Sequence, residues 1–185
     1  CALPIYNDDT FHYTGGIGYN KELPGQPFDQ ENIKLHNVWG AAEAQEFSSV
    51  SPAMHEEFNL QYEREILALF GLNGYGCCDD LADKLDGVLQ IKNLRRVAVC
   101  PWADISRFRP VLGDRYIMTW KPQPAFLSHE NMPVADIAHE LATGVAKARG
   151  GRLELILRDT HTVRKDPARF NQWIDLARQA IAENW

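Results

Sequence analysis

The sequence has few cysteines, no long hydrophobic run and no long run of basic residues. Four cysteines in 185 residues do not form the dense disulfide framework of a small secreted domain. No apolar stretch approaches the roughly 20 residues that a membrane helix needs, and no charged-then-apolar leader is visible. We therefore expect a cytoplasmic protein with free thiols and no membrane partner.

The charge balance and the composition narrow the class of protein further. Nineteen basic and 25 acidic residues give a formal net charge of -6, so nucleic acid is not an expected partner. The hydrophobic fraction of 45% over 185 residues is enough to build one domain with a core. Because the chain begins with Cys1 and not Met, we expect a fragment of a longer chain.

The first 50 residues show no sustained hydrophobic period, which predicts an irregular loop segment. Within it, residues 37–42 have the composition of a short buried strand. Glu43 and Gln45 would then lie just beyond the carboxyl end of that strand.

From residue 51 onward the pattern becomes regular and predicts a helix followed by four strand–helix repeats. Ser51 and Pro52 form a helix start, and Phe58, Tyr62 and Ile66 recur at helical spacing. Short β-rich segments then alternate with helical patterns; the predicted strands are 72–76, 96–100, 116–120 and 153–157, and the predicted helices begin near residues 51, 79, 104, 134 and 167.

This alternation predicts an α/β fold with parallel strands and crossover helices. A complete (β/α)8 TIM barrel needs about 250 residues, so we interpret residues 51–185 as four βα units, the C-terminal half of such a barrel. A small doubly wound sheet, which would need no further chain, is the alternative.

Residues that can act in catalysis, substrate binding or metal ligation follow the predicted strands. Because the carboxyl ends of parallel strands meet on one face, we expect them to lie together; they are Glu43, Gln45, Cys77, Cys78, Asp79, Trp102, Asp104, Lys121, Asp159, Thr160 and His161.

Ordinary structural roles compete with this interpretation. Each cysteine can fill space in a core, Asp79 suits the start of a helix, and Asp104 suits a helix cap. Taken jointly, the thiols of Cys77 and Cys78 and the imidazole of His161 are preferred zinc ligands. A metal site with these three ligands is therefore one prediction, whereas Cys100 is assigned to the core.

A set of short motifs resembles the uroporphyrinogen decarboxylase-like superfamily, over nearly the whole chain from about Gly15. The closest resemblance is to its largely uncharacterised bacterial branch, and the combination is more specific than any one motif. The motifs are Trp39–Glu46, Ser51-Pro52, Tyr75–Asp79, Pro101–Asp104, Lys121–Pro124 and Asp159–Val163.

The resemblance implies a (β/α)8 barrel and a zinc ligand set. In the corrinoid-linked methyltransferases of this superfamily, a His-x-Cys on one strand and a Cys on the last strand bind zinc. Cys77 matches the first cysteine, Tyr75 occupies the histidine position, and His161 falls near the last-strand cysteine. Cys78 or Asp79 would replace the missing ligand.

The resemblance also implies the other functional roles. His161, Asp159 and Lys121 become the expected catalytic residues. The expected substrate-binding residues, also from strand ends, are Glu43, Gln45, Trp102 and Asp104.

The expected activity is that of a zinc-dependent methyltransferase acting with a corrinoid or thiol methyl carrier. The alternatives are a decarboxylase of uroporphyrinogen or a related carboxylic acid, and a non-catalytic fragment. The expected partners are a small-molecule, tetrapyrrole or corrinoid substrate, together with a missing N-terminal barrel half or a second copy of the chain.

Overall fold

Five parallel strands form the centre of the molecule. The computed structural model describes residue 23, residues 31–158 and residues 160–185. The strands pair in the order β1-β2-β3-β4-β5, and every pair is parallel. Their bounds are β1 Trp39–Ala42, β2 Leu72–Tyr75, β3 Leu94–Val99, β4 Ile117–Trp120 and β5 Arg152–Leu155.

Helices connect the strands, because parallel strands need a crossover connection. The helices are α1 Pro52–His55, α2 Gln61–Leu67, α3 Leu85–Val88, α4 Ile105–Leu112, α5 Val134–Ala148 and α6 Ala168–Asn184. A π-helical stretch, Glu56–Leu60, joins α1 to α2 without a break. Among the described residues no helix is long and apolar enough to cross a membrane.

One face of the sheet packs against the helices and forms the apolar core. Tyr75, Val97, Met118 and Leu153 are aligned across four strands by the pairing register. All four belong to the buried cluster that also contains Leu141 of α5. Burial of such side chains stabilises the fold by roughly 1.5–3 kcal/mol each.

The opposite face of the sheet is polar and also largely buried. Arg96 of β3 is 1% exposed and lies 4.7 Å from the ring centroid of Trp39. Its guanidinium is 3.3 Å from the Glu154 carboxylate, which also accepts a 2.9 Å hydrogen bond from Thr119 Oγ1. Polar and charged side chains therefore line the second face across β3, β4 and β5.

The predicted parallel α/β architecture and the strand within 37–42 are confirmed. The sequential strand order shows no reversal, whereas doubly wound sheets reverse their order at a switch point. The five described strands therefore follow one another as consecutive units, with no switch point among them. Most of the segment 1–50 that we predicted to be irregular lies outside the described residues.

The helix predicted from about Asp79 is wrong at its start. Only Leu85–Val88 is helical in this region, and Asp79 is fully buried in the turn that precedes it. The Asp79 carboxylate is used to close that turn, so it does not lie at a helix N-terminus.

The apolar residues predicted on one side of the first helix are exposed, and so are two apolar residues of the last helix. Phe58, Tyr62 and Ile66 are between 57% and 60% exposed, and Phe170 and Ile174 are each 40% exposed. These helices turn other residues toward the sheet, namely Leu60, Leu67, Trp173, Ala177 and Ala180.

Candidate functional site

The turn after β2 brings two cysteines to the carboxyl edge of the sheet. Gly76 has a φ of +92°, a conformation that side chains other than glycine rarely adopt. A Cβ there would also lie 2.5 Å from Leu81 Cδ1. The backbone N–H of Cys77 then donates to Asp79 Oδ1 over 3.2 Å. Glycine and a local side-chain hydrogen bond thus fix the direction of the two thiols.

The two thiols lie side by side. Cys77 Sγ is 3.5 Å from Cys78 Sγ, and neither cysteine is in a disulfide. Cys77 is 2% exposed, whereas Cys78 is partly exposed. One sulfur of the pair is therefore accessible and the other lies behind it.

Charged residues from three other strand ends act on Cys77. Burial, and a hydrogen bond with Glu43, raise the pKa of the Cys77 thiol to about 12, although the positive charges of Lys121 and Arg158 act in the opposite direction. With that pKa, Cys77 is a protonated thiol near neutral pH. Two cations and one carboxylate therefore surround the buried sulfur.

Lys121 connects the end of β4 to the turn after β2. Its ammonium donates a 2.9 Å hydrogen bond to the Cys77 carbonyl. The backbone N–H of Lys121 donates to the Val99 carbonyl over 3.0 Å. The side chain is 2% exposed, so burial lowers the pKa of Lys121, and Arg158 lowers it further. A buried cation with a lowered pKa at a strand end is typical of functional sites.

A cavity of about 410 Å³ opens beside Cys78. Trp102, 65% exposed, supplies a ring at the cavity, and His161 is an exposed residue on its wall. Its volume falls within the usual range for small-molecule sites. The other lining residues are Pro101, Gln123, Pro124, Ala125, Ser128 and Thr162.

Two residues from neighbouring helices hold the loop that forms one cavity wall. Glu140 Oε1 of α5 accepts a 3.0 Å hydrogen bond from the backbone N–H of Gln123. Arg169 of α6 donates to the carbonyls of Leu127 and His129 over 2.9 Å and 2.6 Å. Because these contacts are to backbone atoms, they fix the position of the wall.

A second polar cluster lies on the helix side of β2. Tyr75 Oη donates to Glu63 Oε2 over 2.7 Å and is 2.9 Å from His55 Nε2. Burial raises the pKa of both Tyr75 and Glu63 and lowers the pKa of His55. Tyr75, which occupies the histidine position in the resemblance, is therefore directed toward the helices.

Among the other predicted site residues, Asp104 and Gln45 have no contact with the two thiols among those described below. Asp104 caps α4 through a 3.1 Å bond from Ser106 N–H and pairs with Lys147 at 2.9 Å. These contacts hold the pKa of Asp104 at about 2. Gln45 is exposed, and Asp159 lies outside the described residues.

The predicted zinc ligands are brought together in part. The Cys77 and Cys78 sulfurs are close enough for one ion, since zinc binds thiolates at about 2.3 Å. His161 shares a cavity with Cys78. Within the described ranges, however, no group of three or more His, Cys, Asp and Glu side chains is placed to hold a metal. The two sulfurs could therefore supply two zinc ligands, and a third ligand from His161 stays a prediction.

Sequence reasoning missed Arg158 and Gln123. Arg158 acts on both Cys77 and Lys121, and Gln123 lines the cavity. Arg158 directly precedes the predicted Asp159–His161 group, so counting one residue further back would have found it. Gln123 lies inside the Lys121–Pro124 motif, but its place at the cavity depends on how its loop folds.

Comparisons of the chain with protein-family models, curated proteins and solved structures find no match.

Proposed function

We propose that this chain is the C-terminal part of a (β/α)8 barrel enzyme of the uroporphyrinogen decarboxylase-like superfamily. Its activity is the transfer of a methyl group between a corrinoid or thiol carrier and a small molecule. The observation that carries the proposal is the pair Cys77–Cys78 at the carboxyl edge of a parallel sheet, where barrels keep their active sites.

Two features of the sheet support a barrel. The strands follow one another in sequence order, as they do around a barrel, and five strands leave three to be added before eight are reached. The outermost helices, α2 with the π-helical stretch that precedes it and α6, each expose apolar side chains. The largest are Phe58, Tyr62, Ile66, Phe170 and Ile174.

Further βα units explain these exposed side chains. A helix added beside α2 and another beside α6 would cover them, just as α5 and α6 cover one another now. A second copy of the same five strands would give ten, which is too many for an eight-stranded barrel. We therefore infer that additional chain, and not a second copy, completes the barrel.

The charges around Cys77 define its part in the reaction. Glu43 accepts the thiol hydrogen in its hydrogen bond, and Lys121 and Arg158 favour the thiolate. Zinc held by Cys77, Cys78 and a third ligand would lower the thiol pKa further and keep the sulfur nucleophilic.

The cavity beside Cys78 supplies the substrate position. Trp102 and the two prolines give apolar walls beside Cys78, and His161 adds an imidazole. The remaining expected catalytic residue, Asp159, follows Arg158 directly in sequence.

Metal content and methyl transfer test the proposal together. The protein, purified with its complete coding sequence, is expected to contain about one zinc per chain and to lose it in Cys77→Ala/Cys78→Ala. Methylcobalamin with a thiol acceptor serves as the assay. A zinc-free protein that transfers no methyl group would rule out the methyltransferase. Cys100→Ala, a buried cysteine outside the pair, is the matched control.

The paired cations favour a second candidate, a decarboxylase of uroporphyrinogen or a related acid. Arg158 lies close enough to Lys121 for its positive charge to lower the pKa of that lysine, and such cations suit substrate carboxylates. Anaerobic incubation with uroporphyrinogen, followed by mass analysis, tests this candidate. Unchanged carboxylate number would exclude it, whereas loss of carboxylate that disappears in Lys121→Met would favour it over methyl transfer.

A further inference from the structure

The two neighbouring thiols have a geometry that ordinary buried cysteines do not have. Their sulfurs are 3.5 Å apart, and neither is in a disulfide. Cys78 lies on the wall of a cavity of about 410 Å³, while Cys77 is 2% exposed behind it. A ligand that enters the cavity therefore meets one thiol first and finds a second within reach.

We propose that Cys77 and Cys78 form a vicinal dithiol that captures trivalent organoarsenicals. Arsenic(III) is a soft centre that binds thiol sulfur, and one arsenic atom can bond to two sulfurs at once. The thiol of Cys78 adds first, from the cavity, and that of Cys77 closes the ring. The step is R–As=O + 2 R′SH → R–As(SR′)₂ + H₂O, where R is the organic group on arsenic and the two R′SH are the two cysteine thiols.

This step is balanced without an oxidant or a reductant. Two S–H bonds and the arsenic–oxygen bonds break, two arsenic–sulfur bonds form, and both thiol protons leave in the water. Arsenic remains trivalent throughout. The reaction therefore needs no group beyond the two thiols and the arsenical.

The cavity also provides a place for the organic group of the arsenical. Trp102 presents an exposed ring, and Pro101 and Pro124 add apolar surface beside Cys78. An aromatic group bound there gains from contact with the indole. An aryl arsenical such as phenylarsine oxide should therefore bind more tightly than inorganic arsenite.

The inference shares its residues with the proposed function but not its chemistry. It requires neither zinc nor methyl transfer, so a metal-free and inactive protein can still support it. Conversely, a protein with full methyltransferase activity that fails to bind the arsenical would contradict this inference alone.

Phenylarsine oxide and intact-protein mass spectrometry test the inference on the chelator-treated, reduced protein. The expected product carries one phenylarsenic group per chain, with two thiols lost, and maps to the peptide that contains Cys77 and Cys78. Excess 2-mercaptoethanol should leave the adduct in place, whereas 2,3-dimercaptopropanol should remove it. An adduct on Cys1 or Cys100, or release by the monothiol, would overturn the proposal.

Single substitutions separate the chelate from simple thiol modification. Cys77→Ser and Cys78→Ser should each weaken binding about 100-fold, because each loses the intramolecular second bond. Cys100→Ala should bind as the wild type does. Trp102→Ala should weaken phenylarsine oxide and leave arsenite unchanged. Equal binding by either serine variant and the wild type would disprove the dithiol, and circular dichroism confirms that each variant is folded.

Discussion

The two faces of the sheet differ in what they do for the molecule. The face toward the helices carries Val97, Met118 and Leu153, all buried in one apolar cluster. The other face carries Arg96 and Glu154, joined by an ion pair. Both faces are largely closed to solvent, yet only one is apolar.

This contrast indicates a division of roles within one sheet. Apolar burial stabilises a fold in proportion to area, whereas buried charge costs free energy unless it is paired. The paired charges of the polar face are therefore expected to add less net stability than the apolar face does. The polar face continues directly into the strand ends where Lys121 and Cys77 lie, which connects it to the candidate site.

Shortening a buried side chain on the helix side of the sheet should produce the largest loss of stability. Leu141 is fully buried in α5, so Leu141→Ala should reduce the free energy of unfolding by about 2–5 kcal/mol. Urea denaturation measures the change. Val134→Ala, at a 37% exposed position of the same helix, should cost less than about 1 kcal/mol. Equal losses in the free energy of unfolding would mean that the buried side of α5 does not stabilise the fold more than its exposed side.

Breaking the ion pair on the polar face should have the next largest effect. Arg96→Ala leaves Glu154 and the Trp39 ring without their cation. The expected loss is about 3 kcal/mol, the lower end for a buried pair, because Glu154 is partly exposed. Replacing both charges, in Arg96→Met/Glu154→Gln, should restore much of the loss.

The neighbouring arginine supplies the matched control for that experiment. Arg95 is partly exposed, and its guanidinium donates to the Arg115 carbonyl on the surface. Arg95→Ala should change the free energy of unfolding by about 1 kcal/mol or less. If Arg96→Ala and Arg95→Ala lowered the free energy of unfolding equally, the buried ion pair would contribute no more to stability than a surface contact.

The polar cluster on the helix side should make stability depend on pH. Burial, and the positive charge of Lys84, lower the pKa of His55 in the folded state, while the unfolded value is about 6.5. The unfolded chain therefore binds more protons below that pH, so this stabilisation is complete above pH 6.5 and is lost progressively as the pH falls.

Urea denaturation between pH 5 and pH 8 measures that dependence. His55→Gln removes the titrating group and should flatten the fall in stability below pH 6.5. An unchanged slope in this variant would mean that other groups produce the acid loss. His161→Gln, at an exposed position, is the control and should leave the slope as it is.

The smallest effect is expected at the cavity wall. Burial raises the pKa of Glu140, so its charge destabilises the folded state increasingly above about pH 4.5. Glu140→Gln keeps an acceptor for the Gln123 N–H and should be within about 1 kcal/mol of wild type at pH 7. Glu140→Ala loses that bond and should cost about 1 kcal/mol.

A binding measurement distinguishes the two Glu140 variants beyond their stability. Phenylarsine oxide enters the cavity whose wall Glu140 holds. Its affinity should fall in Glu140→Ala and stay unchanged in Glu140→Gln. An equal affinity in both variants would show that the wall keeps its position without this bond.

Much of the fold was predictable because its signals are local. The start of α1 follows from Ser51, whose Oγ accepts the Met54 N–H over 3.2 Å, and Pro52. The helix predicted to begin near residue 134 does begin at Val134. The helix predicted from Asp79 failed because the Asp79 side chain bonds to the Cys77 N–H, and this contact favours a turn.

The candidate site was only partly predictable, because it depends on distance across strands. Cys77, Cys78 and Lys121 were identified from their position after strands, and the Lys121–Cys77 hydrogen bond joins them. Asp104 has the same sequence signal, yet it caps α4 and pairs with Lys147. A strand-end carboxylate and a helix cap have the same sequence pattern, so only contacts tell them apart.

The sequence by itself determined the parallel α/β class and the two adjacent thiols, because hydrophobic period and residue order are local properties. Only the tertiary structure decided which thiol is accessible and which charges surround the other. Glu43, Lys121 and Arg158 follow three different strands, and their effect on the pKa of Cys77 arises from proximity in the folded chain. Charge interactions depend on distance and burial, and neither can be read from spacing along the sequence.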